Sequence, residues 1–315
     1  MKIVKDISEI KTKNGIAITF GKFDGLHVGH KLLIGGIISA KEKGYDAVAF
    51  SFNVPPSSVV RHEKSIVLMT NGEKEYALEK IGVDYLVEFP FTEEVMHMEA
   101  YDFVKQLTSK VKVGLIIVGD DFCFGYKRGG NVRLLEELKQ EFGYELQIIK
   151  KLKSHGEIVS STKIRESILS GDIDGANELL GYEYFIRGTV GEGRHLGSTI
   201  GIPTANIYPR DEKLVPKNGC YASRIKIDGD GEYFGITNIG TNPTVKDNRS
   251  ISVETNIFDY EGDLYGKNIT VSLMKFVREE RKFDSVEALK NQINEDIAFV
   301  REMTTDKNIL TVGAL

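Results

Sequence analysis

Residues 16–30 read IAITFGKFDGLHVGH. The apolar run Ile16–Phe20 leads through a glycine-rich break into Lys31–Leu-Leu-Ile, the pattern of a strand, a turn and the first turn of a helix. His27 and His30 are three residues apart, so on a helix they share one face. They also sit where the first backbone N–H groups have no partner inside the helix, a position that attracts anions. Gly21 and Gly25 let backbone approach a ligand closely, and Gly29 is expected to leave a side-chain-sized gap between the histidines for a nucleotide to enter. Placed there, the pair can donate hydrogen bonds to phosphate oxygens as charge builds during a transfer. The same residues would also serve a plain surface helix that begins with two histidines.

Outward from this stretch, short apolar runs alternate with longer amphipathic ones. Strands are expected at 15–20, 46–52, 84–89, 113–118 and 145–150, with helices at about 27–43, 72–81, 93–109 and 131–142. That alternation predicts a parallel sheet with helices on both faces, whose ligands bind beyond the carboxyl ends of the strands. Two loops follow strands and open on that edge, 21–30 and 119–130; the second belongs to VGDDFCFGYKRGG at 118–130, which passes from two acids to a basic, glycine-rich end. It reads as a solvated turn or, given its position, as a partner of the first loop. In SSTKIR at 160–165, Ser161 or Thr162 is expected to cap a helix, while Lys163 and Arg165 put cations where the helix dipole disfavours them. Either an anion binds there or the two charges are simply solvated.

Near residue 182 the pattern changes. Short alternating runs follow, Ala222–Ile227, Tyr233–Ile239, Val253–Phe258 and Ile269–Phe276, separated by turn signals at 228–231 and 260–263, and predict an antiparallel barrel or sandwich. A final helix is expected to be capped by Asp284 with Glu287 reaching back, and to bury Val286, Leu289, Ile293, Ile297 and Val300. Residues 188–207, GTVGEGRHLGSTIGIPTANI, hold five glycines. They fit neither a dinucleotide fingerprint nor a P-loop, and read as a glycine flap running into a fixed Pro-Thr-Ala-Asn turn. Thr204 and Asn206 offer oxygens of the kind Mg²⁺ accepts, or else only stabilise the turn. Glu254, a carboxylate in an apolar alternating strand, needs a partner or a purpose unless it points to solvent.

The totals bound the reading. A chain of 315 residues is expected to hold two domains. A net charge of −5 and a pI near 5.8 argue against a nucleic-acid binder held by bulk electrostatics. The only cysteines, Cys123 and Cys220, lie far apart in sequence, and MKIVKDISEIKTKNG has no apolar core like that of a signal peptide, so a reduced cytoplasm is expected. Val113–Val118, the most apolar segment, is far too short to cross a bilayer. No zinc-spaced cluster occurs, so any metal is expected to arrive with phosphate.

In context, GxFDGxHxGH at 21–30 resembles the nucleotidylyltransferase signature in the form carried by bacterial FAD synthetases. With 118–130 and 160–165 in order behind it, residues 1–182 resemble the FMN adenylyltransferase module of those bifunctional enzymes. The resemblance implies a Rossmann-like α/β nucleotidylyltransferase domain in which Gly21, Phe23, Asp24, Gly25, His27 and His30 bind ATP, His27 and His30 serve the adenylyl transfer, and Ser161, Thr162 and Arg165 close over the phosphates. Asp121 would lie near the nucleotide or flavin. There is one departure: where the family usually shows Pro-His-Pro after the second strand, SFNVPPSSVV places Pro55 at the histidine, from which slower or altered adenylyl transfer is expected.

The GxxxGxxxGxP context before PTAN resembles the riboflavin kinase signature, and NIGTNPTV at 238–245, SVETNIFDYEGDLYGK at 252–267 and the segment 275–293 continue it in order. Residues 183–315 are therefore similar to an antiparallel β-barrel riboflavin kinase domain with a C-terminal helix. The resemblance implies ATP bound by Gly193, Gly197, Gly201, Thr204 and Asn206, Mg²⁺ held with it by Thr204 and Asn206, Glu254 as general base, and Arg278 near the flavin. Ser198 stands where the family usually has an arginine. The implied enzyme converts riboflavin to FMN and FMN to FAD, with ATP and flavins as its small-molecule partners. Two rivals remain open, activity in the kinase module alone and a non-catalytic flavin-binding regulator; a class I tRNA synthetase also uses an HxGH-type helix start, but the acidic balance and the absence of a tRNA-sized appended domain count against it.

Overall fold

The computed structural model describes residues 1–53, 66–154, 156–193, 197, 201–241 and 251–305. The chain divides into two compact units, Met1–Ser161 and Thr162–Leu315.

The first unit holds strands β1 (Lys2–Val4), β2 (Ile16–Phe20), β3 (Asp46–Phe52), β4 (Tyr85–Phe89), β5 (Val113–Gly119), β6 (Cys123–Phe124), β7 (Gly130–Asn131), β8 (Glu145–Ile149), β9 (Lys153–Ser154) and β10 (Glu157–Ile158). Its helices are α1 (Val28–Ser39), α2 (Asn71–Ile81), α3 (Glu93–Met96), α4 (Ala100–Lys110) and α5 (Val132–Phe142). Six strands form one sheet in the order β1-β4-β3-β2-β5-β8, and every pairing is parallel. From β2 the chain steps to β3 and then β4 on one side, and later resumes with β5 and β8 on the other. The switch point of the sheet is therefore at β2, and ligands of such sheets bind outside its carboxyl end.

Burial explains the central strands. Every residue of β2 is buried, as is β5 up to Val118, so their continuous Val, Ile and Leu runs need no polar face. Helix α1 lies close on β5: a Cβ at Gly36 would come within 2.7 Å of Ile117. Three differences from expectation appear. The anticipated helix 93–109 is two, because His97 closes α3 and Glu99 is extended before α4. The three-residue strand β1 joins an edge, too short and too exposed to announce itself by pattern. Ser161 is already helical, so it is not the cap of the helix it begins.

The second unit begins with α6 (Ser161–Ser170, its first residue closing the first unit) and α7 (Ile173–Leu180), and continues through β11 (Phe185–Thr189), β12 (Ala205–Ile207), β13 (Gly219–Ile227), β14 (Glu232–Thr241), β15 (Ile251–Ile257) and β16 (Asn268–Glu279) to α8 (Val286–Thr305). Although the sequence pattern changes near 182, α7 packs on the sheet: Asn177 donates to the Leu273 carbonyl at 2.9 Å and accepts from the Tyr184 N–H at 2.7 Å. The strands run antiparallel in the order β11-β16-β13-β14-β15-β12. The edge strands β11 and β12 come together, a Cβ at Gly188 falling 3.4 Å from Ile207, so the sheet nearly closes into a barrel.

Alternation sorts the two faces of this barrel. Tyr221, Ser223, Ile225, Thr237, Ile239, Val253 and Thr255 are fully buried inside it, with the Thr237 and Thr255 hydroxyls paired at 2.9 Å. On the other face Cys220, Ala222, Ile236 and Met274 pack against Ile297, Val300 and Met303 of α8. The cap of α8 is Ser285 rather than Asp284, since the Ala288 N–H donates to Ser285 Oγ at 3.0 Å. Val286 is exposed, and the buried face of α8 includes a carboxylate, Asp296, instead.

Candidate active sites

The first candidate site is the turn between β2 and α1. Phe23, Gly25 and Leu26 all take positive φ, of 49°, 84° and 36°. Two of the three are not glycine and are fully buried, so local strain is held in place by packing. Phe23 folds back over Gly21 and meets the His30 ring edge-on at 5.6 Å. Asp24 braces the turn: its Oδ1 accepts from the N–H groups of Leu68 and Met69 at 2.7 and 3.2 Å, and its carbonyl accepts from Ser161 Oγ at 3.0 Å.

His27 caps α1, its Nδ1 accepting from the His30 N–H at 3.4 Å, which puts the ring proton on Nε2. The two imidazoles stack at 3.8 Å. No gap for a nucleotide exists between them, and a Cβ at Gly29 would press to 3.2 Å from the His27 ring, so Gly29 makes room for that imidazole instead. Burial holds His27 down to about 4 and His30 to about 3, with the neighbouring His27 adding to the effect on His30. The pair is neutral at pH 7 and presents ring N–H donors, while His30 Nδ1 is buried without a hydrogen-bond partner.

Beside this turn lies a pocket of about 510 Å³, lined by Phe20, Phe50, Phe52, Phe91, Phe122 and Phe124 with Met96, Met98 and Phe103 behind them. Phe20 and Phe122 stack at 5.6 Å, and Phe122 and Phe124 at 5.4 Å. Lys22, Ser51, Asp121 and Arg128 supply its polar groups, and Asp121 is bound by Lys151 at 2.7 Å. Lys127 and Arg128 take left-handed backbone, as the residues of the first turn do. Sequence reading missed the aromatics, although a signal was present: β2, β3 and β4 all end on phenylalanine, and Phe91, Phe122 and Phe124 follow strand ends. A larger groove of about 890 Å³ along α3 and α4 is lined by Glu93, Glu94, Glu99 and Asp102, a poor setting for phosphate. Thr162 and Arg165 fall on α6, in the second unit, Thr162 exposed and Arg165 half-buried.

The second candidate site is built across the barrel. Register pairs Asn206 with Glu254, Glu254 with Asn238, Asn238 with Cys220 and Cys220 with Arg278, so five strands carry one polar row on one face. Asn206 is buried beside Glu254 and donates through Nδ2 to the Thr204 carbonyl at 3.2 Å and to Thr204 Oγ1 at 3.5 Å, which turns Asn206 Oδ1 away from that turn. Asn256 holds the turn by donating to the Pro203 carbonyl at 2.8 Å. Two flap glycines sit against this turn: a Cβ at Gly193 would fall 2.3 Å from Asn206 Nδ2, and one at Gly197 would fall 2.2 Å from the Ile202 carbonyl. Gly201 follows with φ of 80°. At the far end of the row, burial pushes the Cys220 thiol up to about 11. Arg278 is engaged by Asp296, which accepts from its Nε at 2.8 Å and pairs with Nη2 at 2.7 Å.

Comparison with known proteins follows this two-part layout. Residues 9–163 match the FAD synthetase family model, and residues 180–304 match the riboflavin kinase family model. The bifunctional riboflavin kinase/FMN adenylyltransferase of Escherichia coli (strain K12) is 33% identical over 307 residues, 96% of this chain and 97% of that relative. The chain belongs to the bifunctional riboflavin kinase/FMN adenylyltransferase family. The family member of Listeria monocytogenes is 34% identical over 89% of both chains. A crystal structure of a macrolide-efflux protein from Streptococcus pneumoniae superposes with a TM-score of 0.80 at 29% identity, covering 97% of this chain and 98% of that one. Among the described residues no helix is long and apolar enough to cross a membrane. Two departures from the family pattern, Pro55 and Ser198, lie outside the described residues, as do residues 242–245 of the NIGTNPTV run.

Proposed function

We propose that the second unit phosphorylates riboflavin to FMN with ATP and that the first unit adenylylates FMN to FAD with release of pyrophosphate, the functional boundary falling at 182/183. Family membership across nearly the whole chain carries this reading, and the two separate sites support it.

For adenylyl transfer, the FMN phosphate attacks the α-phosphorus of ATP. No covalent protein nucleophile is required, so positioning and charge stabilisation supply the rate. Gly21, Phe23, Asp24 and Gly25 shape the turn that admits the phosphates, and His27 and His30 donate to them. Asp24 contributes by bracing the turn, since its Oδ1 already holds two backbone amides. Ser161, Thr162 and Arg165 close over the nucleotide. The phenylalanine pocket has the size and apolar character for an isoalloxazine ring, with Lys22, Asp121 and Arg128 as polar groups for the rest of FMN.

In the kinase unit, Glu254 takes the proton from the riboflavin 5′-hydroxyl before attack on the γ-phosphate. The flap glycines Gly193, Gly197 and Gly201 lie over ATP. Thr204 and Asn206 present hard oxygens, the donor set Mg²⁺ favours when it shares its sphere with phosphate and water; bound there, it would neutralise developing phosphate charge. Arg278, fixed by Asp296, borders the flavin from beneath α8. The reduced thiols fit a cytoplasmic setting, and the acidic balance fits a protein whose partners are small molecules rather than nucleic acid or membrane.

The test is to incubate the chain with riboflavin, ATP and Mg²⁺ and to separate the flavins by chromatography. FMN followed by FAD is expected; FMN alone would leave only the kinase, and no product would leave a binding protein. Glu254→Gln should abolish FMN formation while sparing adenylylation of supplied FMN, and His30→Ala should lower adenylylation by about 100-fold or more while sparing the kinase.

A further inference from the structure

We infer that Ser252 is a positioning residue for Glu254, holding one carboxylate oxygen so that the other faces the substrate hydroxyl; this rests on the reading of Glu254 as the base. Ser252 precedes Glu254 by two residues on β15, so both side chains leave the same face of the strand. Ser252 is 3% exposed, and its hydroxyl donates to Glu254 Oε1 at 3.1 Å. Among the described residues no other donor reaches that carboxylate, whose Oε2 is left open. On either side Glu254 has neutral neighbours, Asn206 on β12 and Asn238 on β14.

The surroundings give that one hydrogen bond its weight. Ser252 pairs with Gly240, and Glu280 Oε1 lies 2.7 Å from where a Gly240 Cβ would stand. A second carboxylate is thus one register step from Glu254. Among the described residues the other titratable or charged groups of this face include Cys220 and Arg224 on β13, Lys275 and Arg278 on β16 and Asp296 on α8; Arg224 is spent on Glu183 and Arg278 on Asp296. The Ser252 hydroxyl is thus the group that fixes which Glu254 oxygen is turned to the row and which is left for substrate. A serine at this position supplies that bond without bringing a competing charge or a bulky side chain into the row.

Ser252→Ala in the full-length chain tests this, with steady-state riboflavin phosphorylation measured at varied riboflavin and ATP. The kcat should fall about tenfold with KM for both substrates unchanged, because the base is misplaced while binding is not touched. Ser252→Cys, close in size with a weaker donor, should lose less kcat and provides the reading if the alanine variant folds poorly. An unaltered kcat, or a loss carried by KM instead, overturns the inference. Glu254→Gln separates the two readings: an inactive Glu254→Gln beside an unaltered Ser252→Ala leaves the base in place and removes only Ser252, whereas an active Glu254→Gln removes the base itself.

Discussion

The two histidines of the first turn show how a single side chain couples stability to function. Both are kept neutral by burial, His27 to about 4 and His30 to about 3, against an ordinary value of 6.5. In the unfolded chain each would take up a proton below 6.5, whereas in the folded turn neither does until far lower pH. The unfolded state therefore binds more protons in the window between, and stability falls as pH drops from about 6.5 toward 4 and 3, by about 1.4 kcal/mol per pH unit for each titrating ring. Urea unfolding followed by circular dichroism at pH 7 and pH 5 should show the first unit weakened at the lower pH. His30→Gln, which removes one titrating ring, should flatten that slope; an unchanged slope would show that another group carries it. The position and spacing of the pair were legible in sequence, because a helix start and an anion site need only local pattern. Their stacking was not, since it depends on Phe23 folding back over Gly21 through a left-handed backbone that no propensity predicts. The phenylalanines of the neighbouring pocket were equally hidden: each reads as core until the sheet brings the strand ends together.

At the level of elements, the expected strands of the parallel sheet were read to within one residue, whereas β13 begins three residues before the expected Ala222 and β16 ends three after the expected Phe276, and other errors gathered where a single polar contact decides a boundary. Thr92 caps the start of α3 and His97 closes it before α4 begins, and Ser285 rather than Asp284 caps α8. Helix α8 carries the sharpest case. Its apolar stripe was correctly placed over Leu289, Ile293, Ile297 and Val300, but the buried face also contains Asp296, which hydrophobic periodicity cannot announce. Asp296 accepts from Arg278 through both oxygens and from Gln292 Nε2 at 2.8 Å, tying the helix to β16. Asp296→Ala would leave the Arg278 guanidinium, only 19% exposed, without its partner, at a cost of about 3 kcal/mol to the second unit. Replacing both members by leucine should recover most of that loss, because well-packed apolar side chains often match a buried pair. Chemical denaturation of the three proteins checks this. A single variant within about 0.5 kcal/mol of the parent would mean that α8 is held by its apolar stripe alone.

For the whole molecule, the notable fact is that two unrelated folds share one chain and one intermediate. In the first unit the candidate site lies beyond strand ends at a switch point of the sheet, while in the second the candidate site is a row across five strands of the barrel. This division was the most legible feature of the sequence, because the change from an alternating strand and helix pattern to consecutive short strands is global and survives local errors. Each site draws its proposed transfer chemistry from its own motifs: His27 and His30 have no part in the kinase row, and Glu254 has none in the histidine turn. Free FMN released by one molecule should therefore serve the adenylyl site of another. Glu254→Gln alone should make no FAD from riboflavin, and His30→Ala should stop at FMN. Mixed in equal amounts with riboflavin, ATP and Mg²⁺, the two variants should together form FAD, after a lag that shortens as protein concentration rises and FMN accumulates sooner. Chromatography of timed samples would follow riboflavin, FMN and FAD at once. FMN accumulating in the mixture without conversion, while the Glu254→Gln protein still adenylylates added FMN, would overturn free exchange of the intermediate between the two activities.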